Sequence, residues 1–264
     1  IFQSIETVAH PENRLLLKRE IEDSELLGAT VDGKQIVLCR MEESPCVMRE
    51  IGRLRELTFR SVGEGTGQPR DIDRYDRDYL QLVLWDSTTL EIAGAYRLGI
   101  ARQLLATKGW DGLYSNTLFQ YDEAMRPMLD QALELGRSFV QPKYQNRSSL
   151  DYLWSGIGAF VCKYPGFRYL FGPASISNHY GKAATARIAR FYGAYYHDEN
   201  VVVQARNPFV PGEELREQLG GEFDGGDHPE DYRALKDSLA EYGLQVPTLF
   251  KHYAQALESG GVSF

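Results

Sequence analysis

Apolar positions in the first hundred residues follow two different patterns, and each pattern predicts one kind of element. Apolar residues at every third or fourth position indicate an amphipathic helix, whereas continuous apolar runs between turn residues indicate strands. In chain order the pattern predicts a helix-compatible opening over 11–27, a turn at 31–33, a strand over 35–41, a helix over 45–60, a flexible glycine-rich loop over 63–69, and strands over 79–85 and 91–98. The last two strands are joined by a four-residue turn and form a β-hairpin.

The rest of the chain alternates between strands and helices. The pattern predicts a short helix near 122–129, a strand around Glu134, a helix over 149–163, a strand over 169–172, a helix over 182–196 and one further helix near 229–242. An antiparallel hairpin followed by strand–helix–strand–helix predicts an α/β (α+β) fold, a mixed sheet with helices on both faces. There is no internal repeat and no long linker, so one domain is expected over 1–264, with an N-terminal extension over 1–34. The pattern at 260–264 predicts the start of a strand, and a closing strand is expected beyond it.

Charge is distributed unevenly along the chain. The formal net charge is −8, yet residues 137–190 hold eight basic residues and one acidic residue. The part from 197 to 264 is acidic. A basic block inside an acidic protein predicts a local anionic partner, such as a phosphate, an acidic protein or a lipid surface, although solvated helix faces are the plainer explanation. Nucleic acid fits poorly, because the chain as a whole is acidic.

The segment 133–143 is the strongest candidate for chemistry. It places Glu134 and Arg137 three residues apart in a strand-like run, just before a predicted helix. Residues three apart in a regular strand face opposite sides, unless a bulge or a glycine such as Gly136 intervenes. A bulged strand with a carboxylate, leading to a helix N-terminus, could hold a general base and an anion site. An ordinary strand end with an exposed ion pair explains the pattern about as well.

Other chemistries find little support in the sequence. The nucleophile-elbow, P-loop, dinucleotide and zinc-protease motifs do not occur, and neither does the HxxxxD pattern. The aspartates of 71–78 lack the spacing of a calcium loop, so no metal is predicted. Asp73 and Asp76 are expected to anchor the loop or to attract a cationic substrate. Three cysteines without metal or redox spacing, no signal-peptide pattern and no membrane-length apolar run predict a cytoplasmic protein.

Four short motifs, taken in order, resemble a known family. They are Arg55-x-x-x-Phe59, Asp73-Arg-Tyr-Asp76, Gly94-Ala-Tyr-Arg97-Leu and Leu133-Glu-Leu-Gly-Arg137-Ser. Together they are similar to the acyl-carrier-protein-dependent N-acyltransferases of the GNAT fold, over about residues 35–196. That group includes the ornithine-lipid N-acyltransferases, the hemolysin-like long-chain N-acyl amino acid synthases and, more distantly, the acyl-homoserine lactone synthases. The resemblance implies a mostly antiparallel, twisted GNAT sheet.

The resemblance also implies roles for individual residues. Glu134 would be the catalytic base, and six residues would occupy substrate-pocket and scaffold positions: Arg55, Phe59, Asp73, Asp76, Arg97 and Arg137. The acyl-phosphopantetheine arm would lie along the same strand, near Ser138, Phe139, Val140, Lys143 and Arg147. The pyrophosphate loop of ordinary GNAT acetyltransferases is absent, which favours a thioester on acyl carrier protein over free acetyl-CoA.

The expected reaction transfers a long-chain (3-hydroxy)acyl group from acyl carrier protein to the amine of an amino acid such as ornithine or glycine. No bound cofactor is expected; the acyl-phosphopantetheine thioester is a co-substrate. The partners expected are acyl carrier protein, the amine acceptor and peripheral contact with the inner face of the cell membrane. Two alternatives remain open, a lactone-forming signal synthase and a non-catalytic lipid- or carrier-binding module. The stretches Trp154–Gly158 and Ser175–Ser177 argue against the first.

Overall fold

The computed structural model describes residues 5–145, 147–198, 201–223, 225–256 and 262–264. The helices within these residues are α1 (Arg14–Glu22), α2 (Pro45–Ser61), α3 (Ala101–Lys108), α4 (Arg126–Leu129), α5 (Arg147–Lys163), α6 (Gly181–Tyr195), α7 (Glu213–Leu219), α8 (His228–Ala240) and α9 (Thr248–Ala256). The strands are β1 (Glu25–Ala29), β2 (Gln35–Arg40), β3 (Leu80–Asp86), β4 (Glu91–Ile100), β5 (Phe119–Tyr121), β6 (Ala132–Val140), β7 (Tyr169–Phe171) and β8 (Val203–Ala205).

Contact density divides the chain into two compact units. The first consists of residues 1–117 and 126–173, and the second of residues 118–125 and 174–264. The first unit therefore contains α1 to α5 and six of the strands, while the second contains β5, β8 and the remaining helices. This division does not test whether either part folds alone, so the prediction of one domain over 1–264 stays a prediction.

A six-stranded sheet forms the centre of the first unit. Its strand order is β1-β2-β3-β4-β6-β7, and every neighbouring pair is antiparallel except β6 with β7. Alternate residues of β3 serve opposite faces: Val83 and Trp85 join the hydrophobic cluster of α2, and Leu82 and Leu84 join that of α5. A strand buried on both faces has no polar alternation, which explains its continuous apolar run. The predicted mixed sheet with helices on both faces is confirmed.

A β-bulge interrupts β6. The pairing of β6 with β4 joins Gly136 to Arg97 and then Phe139 to Ala95, so three steps along β6 match two along β4. The backbone of Arg137 has φ +50°, in the left-handed region. Because side chains alternate with period two, the extra residue turns Phe139 onto the face of α2, where it joins the core. The bulge expected near Gly136 is present, with the positive φ at the following residue.

The prediction for the N-terminal segment was wrong in part. Helix α1 ends at Glu22, and β1 begins at Glu25 and pairs with β2. Asn13 caps the start of α1 by accepting hydrogen bonds from Leu15 and Leu16 N–H. The two strands are joined by a tight turn in which Gly33 has φ +85°. The strand was missed because β1 is an edge strand whose side chains are only partly buried, so its apolar pattern is weak.

The second unit packs around α6 and α8, and it also contains a short antiparallel ladder between β5 and β8. Phe191 of α6 is the centre of an aromatic cluster that includes Phe223 and Tyr232, and Leu235 and Leu239 of α8 are fully buried against it. One helix was predicted in the acidic part of the chain, near 229–242, and α8 corresponds to it. Helices α7 and α9 were not predicted; they are short, and few of their residues face a core.

Candidate active site

Glu134 is buried in β6 and bonded through both carboxylate oxygens. Its side chain is 1% exposed. The backbone N–H of Ser115 donates to Oε1 over 2.7 Å, and the hydroxyl of Tyr79 donates a short hydrogen bond to Oε2. Ser115 belongs to the connection after α3, whereas Tyr79 immediately precedes β3. Two distant segments therefore hold one carboxylate in a fixed orientation.

The electrostatic surroundings make Glu134 a stronger base than an exposed glutamate. Burial raises its pKa above the ordinary value, and the hydrogen bonds from Tyr79 and Ser115 oppose this shift without cancelling it. Burial and the neighbouring Glu134 also raise the pKa of Tyr79, so the phenol keeps its proton and remains a donor. A carboxylate with a raised pKa is suited to accept a proton near neutral pH.

Tyr79, just before β3, forms one row with Gly99 of β4 and Glu134 of β6. Gly99 of β4 pairs directly with Glu134 of β6, so the two positions share a face of the sheet. A Cβ atom at Gly99 would overlap Cε1 of the Tyr79 ring and would lie 2.9 Å from Cδ1 and Cζ. The missing side chain of Gly99 is therefore what lets the phenol ring reach the carboxylate.

Four of the predicted residues form a buried ion network beside this row. Asp76 accepts hydrogen bonds from Arg55 over 2.8 Å and from Arg97 over 3.3 Å, and Arg97 also donates to Asp73 over 2.7 Å. Gln81 accepts from Arg55 over 2.7 Å. The guanidinium carbon of Arg97 lies 4.9–5.9 Å from the ring centres of Tyr75, Tyr79 and Tyr114. The arginines and aspartates thus brace the segment that carries Tyr79.

Arg137 ties the bulge of β6 to the same network. Its guanidinium forms ion pairs with Asp71 at 3.4 Å and with Asp73 at 3.3 Å, and it lies 5.1 Å from the ring centre of Tyr114. Burial raises the pKa of Asp71, and Arg137 opposes that shift. The bulge, the loop before β3 and the aromatic residues around Glu134 are therefore joined by one set of charged contacts.

The glycine-rich loop over 63–69 is anchored to α2. Glu56 is 0% exposed and accepts hydrogen bonds from Thr66 N–H and Oγ1, Gly67 N–H and the guanidinium of Arg60. Burial favours the neutral form of Glu56, but the donors from Thr66 and Arg60 outweigh it and lower its pKa. The sequence predicted a flexible loop here. In the structure, three hydrogen bonds from the loop to one buried carboxylate hold the loop in place, and Arg60 of α2 donates two more to the same carboxylate.

The other predicted residues lie in more varied places. Phe59 is partly buried against the hydrophobic cluster of α2, and Phe139 lies inside that cluster, so its side chain serves the core. Val140 packs partly against the cluster of α5, and Ser138 is half-buried in the bulge. Lys143 is exposed and forms an ion pair with Glu91. The side chain of Arg147 lies outside the described residues.

Sequence reasoning missed the groups that contact Glu134 most closely. Tyr79 had been assigned to the start of a strand, and Ser115 acts through a backbone N–H that no sequence motif reveals. Asp71 and Gln81 were also unassigned, although both enter the ion network. No sequence motif marks these contacts, because they depend on strand register and on the space that Gly99 leaves for the Tyr79 ring.

The ladder between β6 and β7 is short. Three pairs join the strands, from Ala132 with Tyr169 to Glu134 with Phe171, whereas β6 continues to Val140. Gly172 lies so close to the carbonyl of Leu135 that any side chain there would overlap it. Beyond that point no further pairing between the two strands occurs among the described residues. This edge of β6, from Gly136 onward, begins two residues after Glu134.

The basic block of the sequence is partly neutralised in the structure. Four of its eight basic residues form ion pairs with acids outside the block: Arg137 with Asp71 and Asp73, Lys143 with Glu91, Lys163 with Glu25, and Arg187 with Glu222. The block is also divided between the two compact units. Its local positive charge is therefore smaller than the sequence count suggests.

Helices of the described residues fall short of the length and apolar character that a bilayer crossing requires. This agrees with the absence of a membrane-length apolar run in the sequence.

Comparison with known proteins assigns the class of this site. Residues 54–155, which include both Arg55 and Glu134, match the family model described as the acetyltransferase (GNAT) domain. The glycine N(alpha)-acyltransferase of Bacteroides thetaiotaomicron is 33% identical over 262 residues, covering 94% of this chain and 77% of that protein. The enzyme of the same name from Phocaeicola vulgatus is 31% identical, covering 94% and 80%. The L-ornithine N(alpha)-acyltransferase of Brucella abortus is 34% identical over 139 residues, covering 46% and 47%.

The fold and the site are those of a GNAT-type acyltransferase. The chain belongs to the GNAT-fold N-acyltransferase family that contains these glycine and ornithine enzymes. The family resemblance inferred from the four sequence motifs is thereby confirmed, and the chain is an enzyme.

Proposed function

We propose that this enzyme transfers a long-chain acyl group from acyl carrier protein to the α-amine of a small amino acid, with glycine as the first candidate. The observation that carries the proposal is the buried Glu134, with its raised pKa, two residues before the part of β6 that is not paired with β7. Glycine is preferred over ornithine because the similarity to glycine enzymes extends over 94% of the chain, and that to the ornithine enzyme over 46%.

The acyl-phosphopantetheine arm would bind along the unpaired edge of β6 as an added strand. Backbone N–H groups at the bulge of β6 would stabilise the negative oxygen of the tetrahedral intermediate. A Cβ atom at Gly136 would meet nothing within 4 Å, so the face of β6 beside Glu134 has room for the reacting groups. Ser138 would contribute backbone atoms to this edge, and Lys143 and Arg147 would lie towards the phosphate end of the arm.

Proton transfer would begin at Glu134. The acceptor amine enters as an ammonium ion, and Glu134 takes one proton from it. Because the carboxylate is 1% exposed, a bridging water is the favoured path. The neutral nitrogen attacks the thioester carbonyl, the C–S bond breaks as the intermediate collapses, and the second proton passes from the nitrogen to the departing thiolate. The products are an N-acyl amino acid, the free thiol of the carrier arm and one proton, which Glu134 releases to solvent and so becomes a carboxylate again.

The donor and the acceptor are tested in one experiment. Purified enzyme is given acyl carrier protein or CoA carrying the same acyl chain, with glycine, ornithine, serine or no acceptor, and the products are identified by mass spectrometry. We expect N-acylglycine from the carrier-protein donor and little product from the CoA donor. Rising salt should slow the carrier-protein reaction, because docking of the acidic carrier is electrostatic. Equal use of both donors without a salt effect would overturn the proposed donor. Product formed from ornithine alone would overturn the proposed acceptor.

A further inference from the structure

We propose that Tyr79 is a positioning residue for the base: its phenol holds the Glu134 carboxylate in one orientation and stabilises its charged form. The inference rests on the proposed function, in which Glu134 accepts the proton of the acceptor amine. Nothing in the family resemblance assigns a role to Tyr79. Its geometry does so independently, through its contacts with Glu134, Tyr114 and Gly99.

The hydroxyl of Tyr79 has three polar contacts, one of them with the carbonyl of Gly112, a competing and more distant acceptor at 3.2 Å. It donates to Oε2 of Glu134, and it accepts a hydrogen bond of 2.9 Å from the backbone N–H of Tyr114. The neighbouring N–H of Ser115 donates to Oε1 of the same carboxylate. The phenol thus closes a small hydrogen-bonded ring with the Tyr114–Ser115 backbone and Glu134, and it fixes the plane of the carboxylate.

The sheet is built to admit the phenol ring. Gly99 is the direct cross-strand partner of Glu134, and the ring of Tyr79 occupies the place of its missing side chain. A side chain at position 99 would push the ring away from the carboxylate. The contact between Tyr79 and Glu134 therefore depends on a glycine whose backbone has an ordinary strand conformation, so the need is for space.

Other charged and titratable groups surround this pair. Arg97 of β4 lies 5.1 Å from the ring centre of Tyr79, the ring of Tyr75 lies 6.2 Å away, and Arg137 of β6 reaches Tyr114. Arg97 lowers the pKa of Glu134, but less than the hydrogen bonds from Tyr79 and Ser115 do. The aspartates of the ion network face Arg97 and Arg137, which partly screens their effect on Glu134.

The direction of the expected effect follows from the hydrogen bond. The phenol donates to the charged form of Glu134 and so lowers its pKa. Without the hydroxyl, the pKa of Glu134 rises further, and the base is deprotonated only at higher pH. A hydrogen bond to an ionised group corresponds to roughly one to two pH units.

The test is the Tyr79→Phe variant, which keeps the ring and removes the donor. We expect the acid limb of the kcat/KM profile to move to higher pH by about one to two units, with the melting temperature within a few degrees of wild type. Tyr144→Phe is the matched control, since Tyr144 is another buried tyrosine whose hydroxyl donates to a carboxylate, Asp86, at 3.0 Å. It should leave the acid limb unshifted. Gly99→Ala, which displaces the ring, should shift the limb in the same direction as Tyr79→Phe.

A second readout separates this inference from the proposed function. Carbon NMR titration of the Glu134 carboxyl, assigned by its loss in Glu134→Gln, reports the pKa without any activity. If Glu134→Gln keeps its activity, the role of Glu134 as the base is wrong, but the titration still decides whether Tyr79 holds the charged carboxylate. If Tyr79→Phe leaves both the acid limb and the titration unchanged, the inference about Tyr79 is overturned and the proposed function stands.

Discussion

Glu56 and Glu134 are both buried carboxylates in the first unit, and their surroundings shift their pKa values in opposite directions. Glu56 accepts five hydrogen bonds, two of them from the guanidinium of Arg60, and its pKa is lowered. Glu134 accepts hydrogen bonds from Tyr79 and Ser115, neither of which is charged, and its pKa is raised. Both side chains are closed to solvent, but Glu134 lies deeper in the protein, so a larger burial penalty and the lack of a charged donor together favour its neutral form. One carboxylate is a structural anchor, and the other is left ready to take a proton.

The largest expected difference between the two sites is in activity. Glu134→Gln keeps the shape of the side chain but removes the proton acceptor, and turnover should fall by about 10²- to 10⁴-fold. Glu56→Gln should retain most of the turnover at temperatures where the variant is folded. Steady-state kinetics on both variants, with circular dichroism to verify folding, makes the measurement. Retention of more than about half the wild-type turnover in Glu134→Gln would remove it from the role of base.

The effects of the two substitutions on the free energy of unfolding should have the opposite order, with the larger loss in Glu56→Gln. Glu56→Gln places an NH₂ group among donors and leaves some of them without an acceptor, which should cost about 3 kcal/mol. Glu134→Gln should cost far less, because the buried charge is only partly stabilised in the wild type. Urea unfolding of both variants at neutral pH gives the comparison. A smaller loss in Glu56→Gln than in Glu134→Gln would contradict the reading of Glu56 as the anchor.

The two carboxylates should also give stability opposite dependences on pH. Glu56, with its lowered pKa, stabilises the fold above the ordinary glutamate value of about 4.5 and loses that effect as the pH falls through its folded pKa. Glu134, with its raised pKa, favours the folded state below about 4.5 and loses that effect as the pH rises through its folded pKa. From pH 4.5 to 7, Glu134→Gln should therefore gain stability relative to wild type. Parallel changes in both variants would show that burial alone sets these pKa values.

The smallest expected effect concerns a third carboxylate. Asp73 resembles Glu56, because Arg97 and Arg137 both donate to it and its pKa is lowered despite burial. Asp73→Asn should loosen the bulge of β6, raise the KM for the amine several-fold and slow turnover, with the melting temperature within a few degrees of wild type. Asp32→Asn, at an exposed ion pair of the same unit, is the control. An unchanged KM would assign Asp73 to the scaffold alone.

The sequence predicted Glu134 as the candidate base, but not the groups that contact it. Glu134 stood out because a carboxylate in an apolar strand is unusual, and Gly136 indicated a bulge nearby. Tyr79 could not be assigned, because its role depends on strand register and on the space left at Gly99, both of which are tertiary properties. The loop over 63–69 shows the same limit. Its glycines indicate flexibility, whereas its order depends on Glu56, which the pattern had placed in a helix without a particular role.

The left-handed backbone of Arg137 has a consequence for how this enzyme tolerates change. A non-glycine residue in that conformation is disfavoured by on the order of 1–2 kcal/mol, so replacement by glycine would relax the main chain. The same replacement would leave the buried Asp71 without its ion-pair partner. The backbone conformation therefore favours glycine at this position, whereas the ion pair with Asp71 favours arginine. A substitution that improves one of these contributions to stability weakens the other. Few substitutions should therefore be tolerated at this position. Lysine would keep the charge, but it would lose the two-pronged guanidinium and would not relieve the backbone strain.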